Sequence, residues 1–236
     1  MKRKIENTVG TGLFRLAAMA LLALSAVPAQ ADMVLSQVIV DLQPGKPSHE
    51  DIEIWNDSPE RMYAVAEPAQ IQSPGTPTER RVTVADPGVS GLLVTPQRMV
   101  LEPGQRRIIR LAALLPRDMT ERIYRVTVKP VAGPVTAETT ALKVLLGYDV
   151  LVLLRPQRIA GEVTAARSGR KLDFHNQSNT AQEIYEGKQC DAAGKNCKTL
   201  PATRLYAGAQ WTVDLTYETP VEYRLTAGNG SSVKRF

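Results

Sequence analysis

The sequence predicts an all-β protein, and three features of the 236-residue chain indicate it. Short runs rich in aliphatic and β-branched residues recur along the chain. Turn-forming pairs of proline, glycine and asparagine separate these runs, and no convincing amphipathic helix follows the N-terminal segment. Strands at this spacing are typical of a β-sandwich.

Eight strands are predicted before residue 156. Turn signals such as Pro44-Gly45, Pro74-Gly75 and Pro103-Gly104 separate them, because proline and glycine favour the backbone angles of tight turns. The predicted strands are Val34–Leu42, Glu50–Trp55, Met62–Glu67, Arg81–Val84, Leu92–Thr95, Arg107–Leu111, Ile123–Lys129 and Leu142–Leu154.

The last of these runs predicts an unusually long strand that ends at Arg155-Pro156. The run is shorter than the roughly 18 apolar residues of a membrane span, and it contains two charged residues. Its first part alternates, which places Leu142, Val144 and Leu146 on one face. The pattern alone is compatible with a buried core strand, or with a strand that serves a second sheet or a second protein.

A second set of strands follows Pro156, and two segments of the chain are repeated in it. Ile52–Ser58 resembles Leu172–Ser178, and Pro103–Leu111 resembles Ala207–Leu215, in the same order. The repeat predicts two related sandwiches with a boundary at this proline, which fixes φ and stiffens the junction. The second set comprises Gly161–Ala165, Lys171–His175, Gln182–Glu186, Gln210–Leu215 and Val221–Leu225.

The N-terminus predicts a secretory signal peptide over residues 1–31. Basic residues precede the apolar run Leu16–Val27, and Ala29-Gln30-Ala31 follows as a cleavage site. The alternative, a membrane anchor, is disfavoured by the short apolar run. Removal of the segment lowers the formal charge from +5 to +2, which weakens any compositional argument for nucleic-acid binding.

The chain has two cysteines, Cys190 and Cys197, and their spacing in a secreted protein predicts a disulfide that closes a hairpin. A metal pair is the alternative, but it needs further ligands and the chain has only His49 and His175. Both histidines are interpreted as structural or exposed. No hydrolase elbow, zinc-protease motif or phosphate-binding loop is present, so the sequence predicts no enzyme and no cofactor.

Several arginines of the first half are candidate binding residues. Arg106, Arg107 and Arg110 are interpreted as a solvated strand face. Arg125 differs, because it lies in mid-strand between apolar neighbours. An arginine in such a place is expected to point to solvent or to meet a carboxylate, which its planar fork binds bidentately.

Several segments of the chain, in their order and spacing, carry a family resemblance. They are Ser73–Thr76, Leu92–Gln97, Leu101–Gly104, Ile109–Leu111, Glu121–Val126 and Leu142–Pro156, and Asn176–Thr180 with the Cys190/Cys197 hairpin. In these segments the chain resembles the PapD-like periplasmic chaperones that assemble fimbriae with an outer-membrane usher, and it is closest to their alternative, class 5-like branch. The likeness covers nearly the whole chain after residue 31.

The resemblance implies two immunoglobulin-like β-sandwich domains, residues 32–155 and 156–236, in an L or boomerang arrangement. It implies donor-strand complementation, in which the chaperone lends its last first-domain strand to a pilin that lacks one. Backbone hydrogen bonds and alternate side chains then hold the pilin. The lent side chains would be Leu142, Val144 and Leu146.

The family's usual anchor for the terminal carboxylate of the pilin is absent from this chain. The corresponding positions are expected to hold Val40 and Leu151 rather than Arg and Lys. We expect Arg125 to take this role from the neighbouring strand, with Arg122 and Arg155 as weaker candidates.

The predicted function is therefore a non-enzymatic periplasmic chaperone whose partners are fimbrial subunits and an usher. The alternatives are a secreted two-domain fimbrial subunit or adhesin, and a secreted hydrolase. A fimbrial subunit is expected to carry a free N-terminal extension, whereas strand-like residues start here at Val34. An apolar strand edge also creates a hazard of self-association in the unliganded chain, which the sequence alone does not decide.

Overall fold

The computed structural model describes residues 33–131, 145–227 and 230–236, and strands dominate these ranges. The predicted signal peptide lies outside them. The strands are β1 (Met33–Leu35), β2 (Ile39–Leu42), β3 (His49–Asn56), β4 (Met62–Gln72), β5 (Arg80–Val82), β6 (Leu92–Thr95), β7 (Arg98–Leu101), β8 (Arg106–Ala113), β9 (Arg122–Val131), β10 (Tyr148–Leu154), β11 (Val163–Ser168), β12 (Lys171–Asn176), β13 (Gln182–Cys190), β14 (Cys197–Leu200), β15 (Thr203–Leu205), β16 (Gln210–Asp214), β17 (Val221–Ala227) and β18 (Gly230–Arg235), with one short helix, α1 (Pro87–Ser90).

The first ten strands form two sheets that enclose one hydrophobic core. The four-stranded sheet has the order β1-β3-β8-β6. The six-stranded sheet has the order β2-β10-β9-β4-β5, and β7 also pairs with β4. Alternate residues of the longer strands enter the core; on β3 these are Ile52 and Ile54, and on β8 Ile109 and Leu111. The prediction of an all-β chain is confirmed.

The predicted strand Val34–Leu42 is divided in two, and its halves join different sheets. β1 pairs antiparallel with β3, whereas β2 pairs parallel with β10. Met33 and Leu35 are buried before the break, and Val40 and Leu42 after it. The buried positions therefore change from odd to even numbers, because the chain leaves one sheet and crosses the core to the other.

Within the described residues, the strand is shorter than the predicted Leu142–Leu154, because it starts at Tyr148. Its ladder with β9 begins at Tyr148, opposite Val128, and Leu145–Gly147 form no strand. A Cβ on Gly147 would lie 2.9 Å from the Cβ of Lys129, so this residue needs the space that glycine leaves. Residues 142–144 lie outside the described ranges.

From Val150 onward β10 is buried on both faces, which explains why this part of its sequence does not alternate. Val150, Val152 and Leu154 point into the first core. Leu151 and Leu153 point the opposite way, into a separate apolar cluster. A strand covered on both sides is expected to be continuously apolar.

The second group of strands forms a second sandwich. One sheet has the order β11-β12-β16, and the other has the order β14-β13-β17-β18 with β15 also paired to β13. Its core is more aromatic than the first. Phe174 stacks on Trp211 with ring centroids 5.4 Å apart and meets Tyr223 edge-on at the same distance. β7, β14, β15 and β18 were not predicted, because they are short, polar or half-exposed.

A buried asparagine locks the turn after β3. The Asn56 side-chain amide donates to the carbonyl oxygens of Glu60 and Leu101, at 2.6 and 3.1 Å. Its Oδ1 accepts hydrogen bonds from the backbone N–H and the hydroxyl of Ser58, at 3.0 and 2.7 Å. The side chain thus hydrogen-bonds backbone groups on both sides of the turn and holds them together.

The equivalent asparagine of the second sandwich repeats this arrangement. Asn176 donates to the carbonyl oxygens of Thr180 and Leu205, at 2.9 and 2.8 Å, and accepts from the N–H and hydroxyl of Ser178, at 3.0 and 2.6 Å. The repeat seen in the sequence is therefore also a repeat of structure.

Replacement of Asn176 by alanine is expected to lower the free energy of unfolding by about 2–4 kcal/mol, because the Leu205 carbonyl and the Ser178 N–H lose this partner, and the Thr180 carbonyl loses one of its two hydrogen bonds. Urea denaturation followed by circular dichroism measures the change. Asn196→Ala is the control, since Asn196 is exposed and its side-chain amide donates to Asp191 within a surface hairpin. Equal losses in the two variants would contradict the role assigned to Asn176.

Candidate functional site

The candidate site lies on the surface of the six-stranded sheet that points away from the first core, called here the outer face. Its residues alternate with core residues along each strand and oppose one another across the ladders. They are Ile71, Ile123, Arg125, Thr127, Lys129, Asp149, Leu151 and Leu153, together with Glu67 and Ala69 of β4.

One end of the outer face is apolar and is covered by the second sandwich. Ile71, Ile123, Leu151 and Leu153 form one cluster, and Tyr206, which follows β15, packs against it. Burial raises the pKa of the Tyr206 hydroxyl, although the positive charge of nearby arginines opposes the shift. The hydroxyl therefore stays neutral at physiological pH.

The other end of the outer face is charged and partly exposed. Arg125 lies here, with a third of its side chain accessible, and its Nε is 3.7 Å from Asp149 Oδ2. Arg81 of β5 also reaches Asp149, with 2.5 Å between Nη2 and Oδ1, and donates to the Thr127 hydroxyl at 2.9 Å. Arg125 thus faces an accessible surface beside a carboxylate, one of the two surroundings expected for it.

The side chain of Arg122 is bound to the loop that precedes β9. Its Nη2 donates to the carbonyl oxygens of Leu115 and Pro116, and its Nε lies 3.3 Å from Asp118 Oδ2. Only 12% of the side chain is accessible. These contacts hold the loop and leave little of the guanidinium for a partner.

Arg155 is buried at the junction between the two sandwiches. It pairs bidentately with Asp41 of β2, at 2.8 and 2.9 Å. Its Nη1 donates to the Thr180 hydroxyl and the Ala181 carbonyl oxygen of the second sandwich, at 2.9 and 2.7 Å, and lies 3.2 Å from Glu121 Oε1. Arg155 therefore joins three parts of the chain.

Glu121 completes this junction. Its side chain is 2% accessible, and its Oε2 accepts a hydrogen bond from the Ala181 N–H. Burial raises the pKa of Glu121, and the charge of Arg155 offsets the shift only in part. Burial works to lower the pKa of Arg155, but hydrogen bonding to Asp41 and the charge of Glu121 outweigh it and the pKa lies above its ordinary value.

Val40 does not lie on the outer face. It is 1% exposed and packs in the first core, so the β2 residue beside Leu151 on the outer face is Ile39, which is in register with it. Ile39 is 47% exposed and Leu151 is 4% exposed. Neither residue carries a charge, so this part of the outer face is apolar.

Of the predicted donor residues, only Leu146 lies in the described ranges; Leu142 and Val144 lie outside them. Leu146 is 73% exposed and lies two residues before the start of β10. An aliphatic side chain this exposed gains from burial by a partner.

The predicted disulfide is confirmed. Cys190 and Cys197 face each other across β13 and β14 and are bonded. No helix within the described residues has the length and apolar character needed to cross a membrane. In the same residues, histidines, cysteines and carboxylates do not gather in groups of three that could hold a metal ion.

Sequence reasoning missed four residues that contact the site or its junction. Arg81 contacts Asp149, Tyr206 packs on the apolar cluster, and Asp41 and Glu121 pair with Arg155. They approach from strands or loops that are distant in sequence, so no local pattern connects them with the site. One usable signal was Asp149, a carboxylate at the start of an otherwise apolar strand.

No protein-family model matches the chain. An Escherichia coli protein whose name describes it as a CFA/I fimbrial subunit is 27% identical over 180 residues, which cover 72% of this chain and 74% of that protein. The class 5 fimbriae chaperone CfaA is 23% identical and superimposes with a TM-score of 0.64 over 86% of this chain and 98% of its own.

The SafB chaperone, solved in complex with SafA pilin from Salmonella enterica, is 16% identical; the likeness covers 89% of this chain and 98% of SafB, with a TM-score of 0.60. The chain therefore has the fold of the two-domain fimbrial chaperones, with immunoglobulin-like sandwiches. The resemblance to the class 5-like branch is confirmed at the level of fold.

Replacement of Arg155 by alanine is expected to destabilise the protein by about 3–5 kcal/mol, because Glu121 is left as an uncompensated buried charge. It should also loosen the coupling between the sandwiches, which urea denaturation would register as two transitions. Arg110→Ala is the matched control, since its bidentate pair with Asp51 is exposed. A single transition with unchanged midpoint would refute the role of Arg155.

Proposed function

We propose that this chain is a non-enzymatic periplasmic chaperone that binds fimbrial subunits by donor-strand complementation and delivers them to an outer-membrane usher. The observation that carries the proposal is the likeness in fold over 86% of this chain and 98% of a class 5 fimbriae chaperone. A second solved chaperone of this fold holds a pilin, which supports a pilin as the partner of this chain.

The proposed layout is a signal peptide over residues 1–31, a pilin-binding domain over 32–155 and a second domain over 156–236. Two observations support the division. The described strands of the first two sheets end at Leu154, and those of the other two begin at Val163. The periplasm, reached through the signal peptide, would also permit the disulfide.

The proposed donor strand consists of Leu142, Val144 and Leu146, which lead into β10. Burial of one such side chain contributes about 1.5–3 kcal/mol, so three supply several kcal/mol before the cost of association. The exposure of Leu146 supports the proposal, because this side chain has no core of its own to fill.

The proposed anchor of the pilin's terminal carboxylate is Arg125. Its side chain is one-third accessible, and its nearest carboxylate oxygen is 3.7 Å away. A bidentate ion pair normally closes to about 2.7–2.9 Å, so the guanidinium has capacity for a second carboxylate. Arg122 and Arg155 have closer partners and less accessible side chains.

The name of the Escherichia coli relative favours a second candidate, a two-domain fimbrial subunit. Expression with a small pilin of the same gene cluster separates the two functions. A chaperone is expected to hold one pilin in a soluble periplasmic complex of equal stoichiometry. Recovery of this chain in fibres would favour the second candidate, and recovery without pilin would sink the chaperone proposal.

Leu146→Asp is expected to abolish recovery of the pilin in the same experiment, because a charge would enter the hydrophobic groove of the partner. The variant should fold normally, since the side chain is 73% exposed. Ile108→Asp is the control, an exposed aliphatic residue on the other sheet. Undiminished recovery by a folded Leu146→Asp protein would exclude this residue from the donor strand.

Arg125→Ala is expected to weaken pilin binding by about 10- to 100-fold, which is the range for a hydrogen bond to a charged group. Surface plasmon resonance with refolded pilin measures the loss. Arg107→Ala, an exposed arginine of β8, provides the comparison. Equal affinities of the two folded variants would remove Arg125 from the anchor.

A further inference from the structure

One carboxylate on the outer face is shared by two arginines. Asp149 Oδ1 lies 2.5 Å from Arg81 Nη2 and 3.3 Å from the Thr127 hydroxyl, whereas its Oδ2 is 3.7 Å from Arg125 Nε. The three charged groups sum to one positive charge. The neighbouring charges, Glu67 and Lys129, pair with each other at 2.8 Å and add none.

The two arginines use this carboxylate unequally. Among the described residues, Arg81 makes a short contact with Asp149. The contacts of Arg125 there are long, at 3.7 Å from Nε to the carboxylate and 3.4 Å from Nη1 to the Asp149 carbonyl oxygen. In the same protein, Arg110 makes a full bidentate ion pair with Asp51, with two hydrogen bonds of 2.7 Å. By comparison, the guanidinium of Arg125 does not make a bidentate pair with a carboxylate of the described residues.

The edge of β10 indicates what kind of carboxylate can arrive here. Within the described residues, β2 pairs with Leu151–Leu154, and Val38 just before it accepts a hydrogen bond from the Leu151 N–H at 2.9 Å. On that side the edge of β10 is therefore left without a strand at Tyr148 and Asp149. We consider a strand that is added to this edge and runs parallel to β10, as β2 does. It must end before it reaches the segment of β2, which already occupies the rest of the edge. Its C-terminal residue would then lie beside Asp149, whose carbonyl oxygen is 3.4 Å from Arg125 Nη1.

We propose that Asp149 is an internal competitor for the carboxylate position at Arg125. In the free chain its side chain occupies this position loosely. In the bound chain the C-terminal carboxylate of the added strand takes over Arg125, and Asp149 remains with Arg81. The inference rests on the proposed function, and it assigns to Asp149 the role of lowering the affinity of the anchor.

The test measures binding of a small carboxylate to Arg125 directly. N-acetylvaline, which mimics a C-terminal residue, is titrated against the folded protein while the Arg Nε–H signals are followed by nuclear magnetic resonance. N-acetylvalinamide, which lacks the charge, is the companion probe. Asp149→Asn is expected to tighten binding of the acid by about two- to fivefold, the range for release of one exposed ion pair.

Glu67→Gln is the matched control, because it removes a carboxylate from the same face that pairs with Lys129 instead. It should leave binding of the acid unchanged. Asp149→Thr, which also suits a strand, should reproduce the result of Asp149→Asn. Weaker or equal binding of the acid in both Asp149 variants, or equal tightening for the amide, overturns the inference.

Failure of this inference is distinguishable from failure of the proposed function. If pilin is recovered with the wild-type chain but the Asp149 variants bind the acid no better, the competitor role alone is wrong. If no pilin is recovered while the acid still binds more tightly to Asp149→Asn, the contact is as proposed and the chaperone function is wrong.

Discussion

The buried guanidinium of Arg155 is the contact on which the arrangement of the site depends. It lies just after β10 and joins Asp41, Glu121 and the second sandwich. A buried cation is costly unless it is paired and hydrogen-bonded, so its partners must stay in place together. The same contact therefore fixes the edge strand β2, the loop before β9 and the position of the second sandwich.

The junction also explains why one end of the outer face is covered and the other end is accessible. Tyr206 covers the apolar end, where Leu151 and Leu153 would otherwise meet water. The charged end around Arg125 stays accessible, because it lies farther along the strands from the junction. A single strand thus supplies core packing, contact between the sandwiches and one wall of a surface suited to a partner chain.

Much of the fold follows from local patterns, because turn residues and alternation act over a few neighbours. The paired segments around Asn56 and Asn176 predicted two sandwiches, and the structure repeats their hydrogen bonds. The division of Val34–Leu42 between two sheets was not predicted, although the buried positions change there from odd-numbered to even-numbered residues. The contacts of Arg81 and Tyr206 could not be predicted, since they depend on how distant segments pack.

The parallel pairing of β2 with β10 also bears on the order of folding. The partner of Ile39 is Leu151, so the first sandwich closes its sheet through residues more than a hundred positions apart. Contacts of such separation form late, because the entropy of closing the loop must be overcome first. Among the described strands, β10 is the one that pairs with β2, so one of the first strands in the sequence is paired only once about two-thirds of the chain is available.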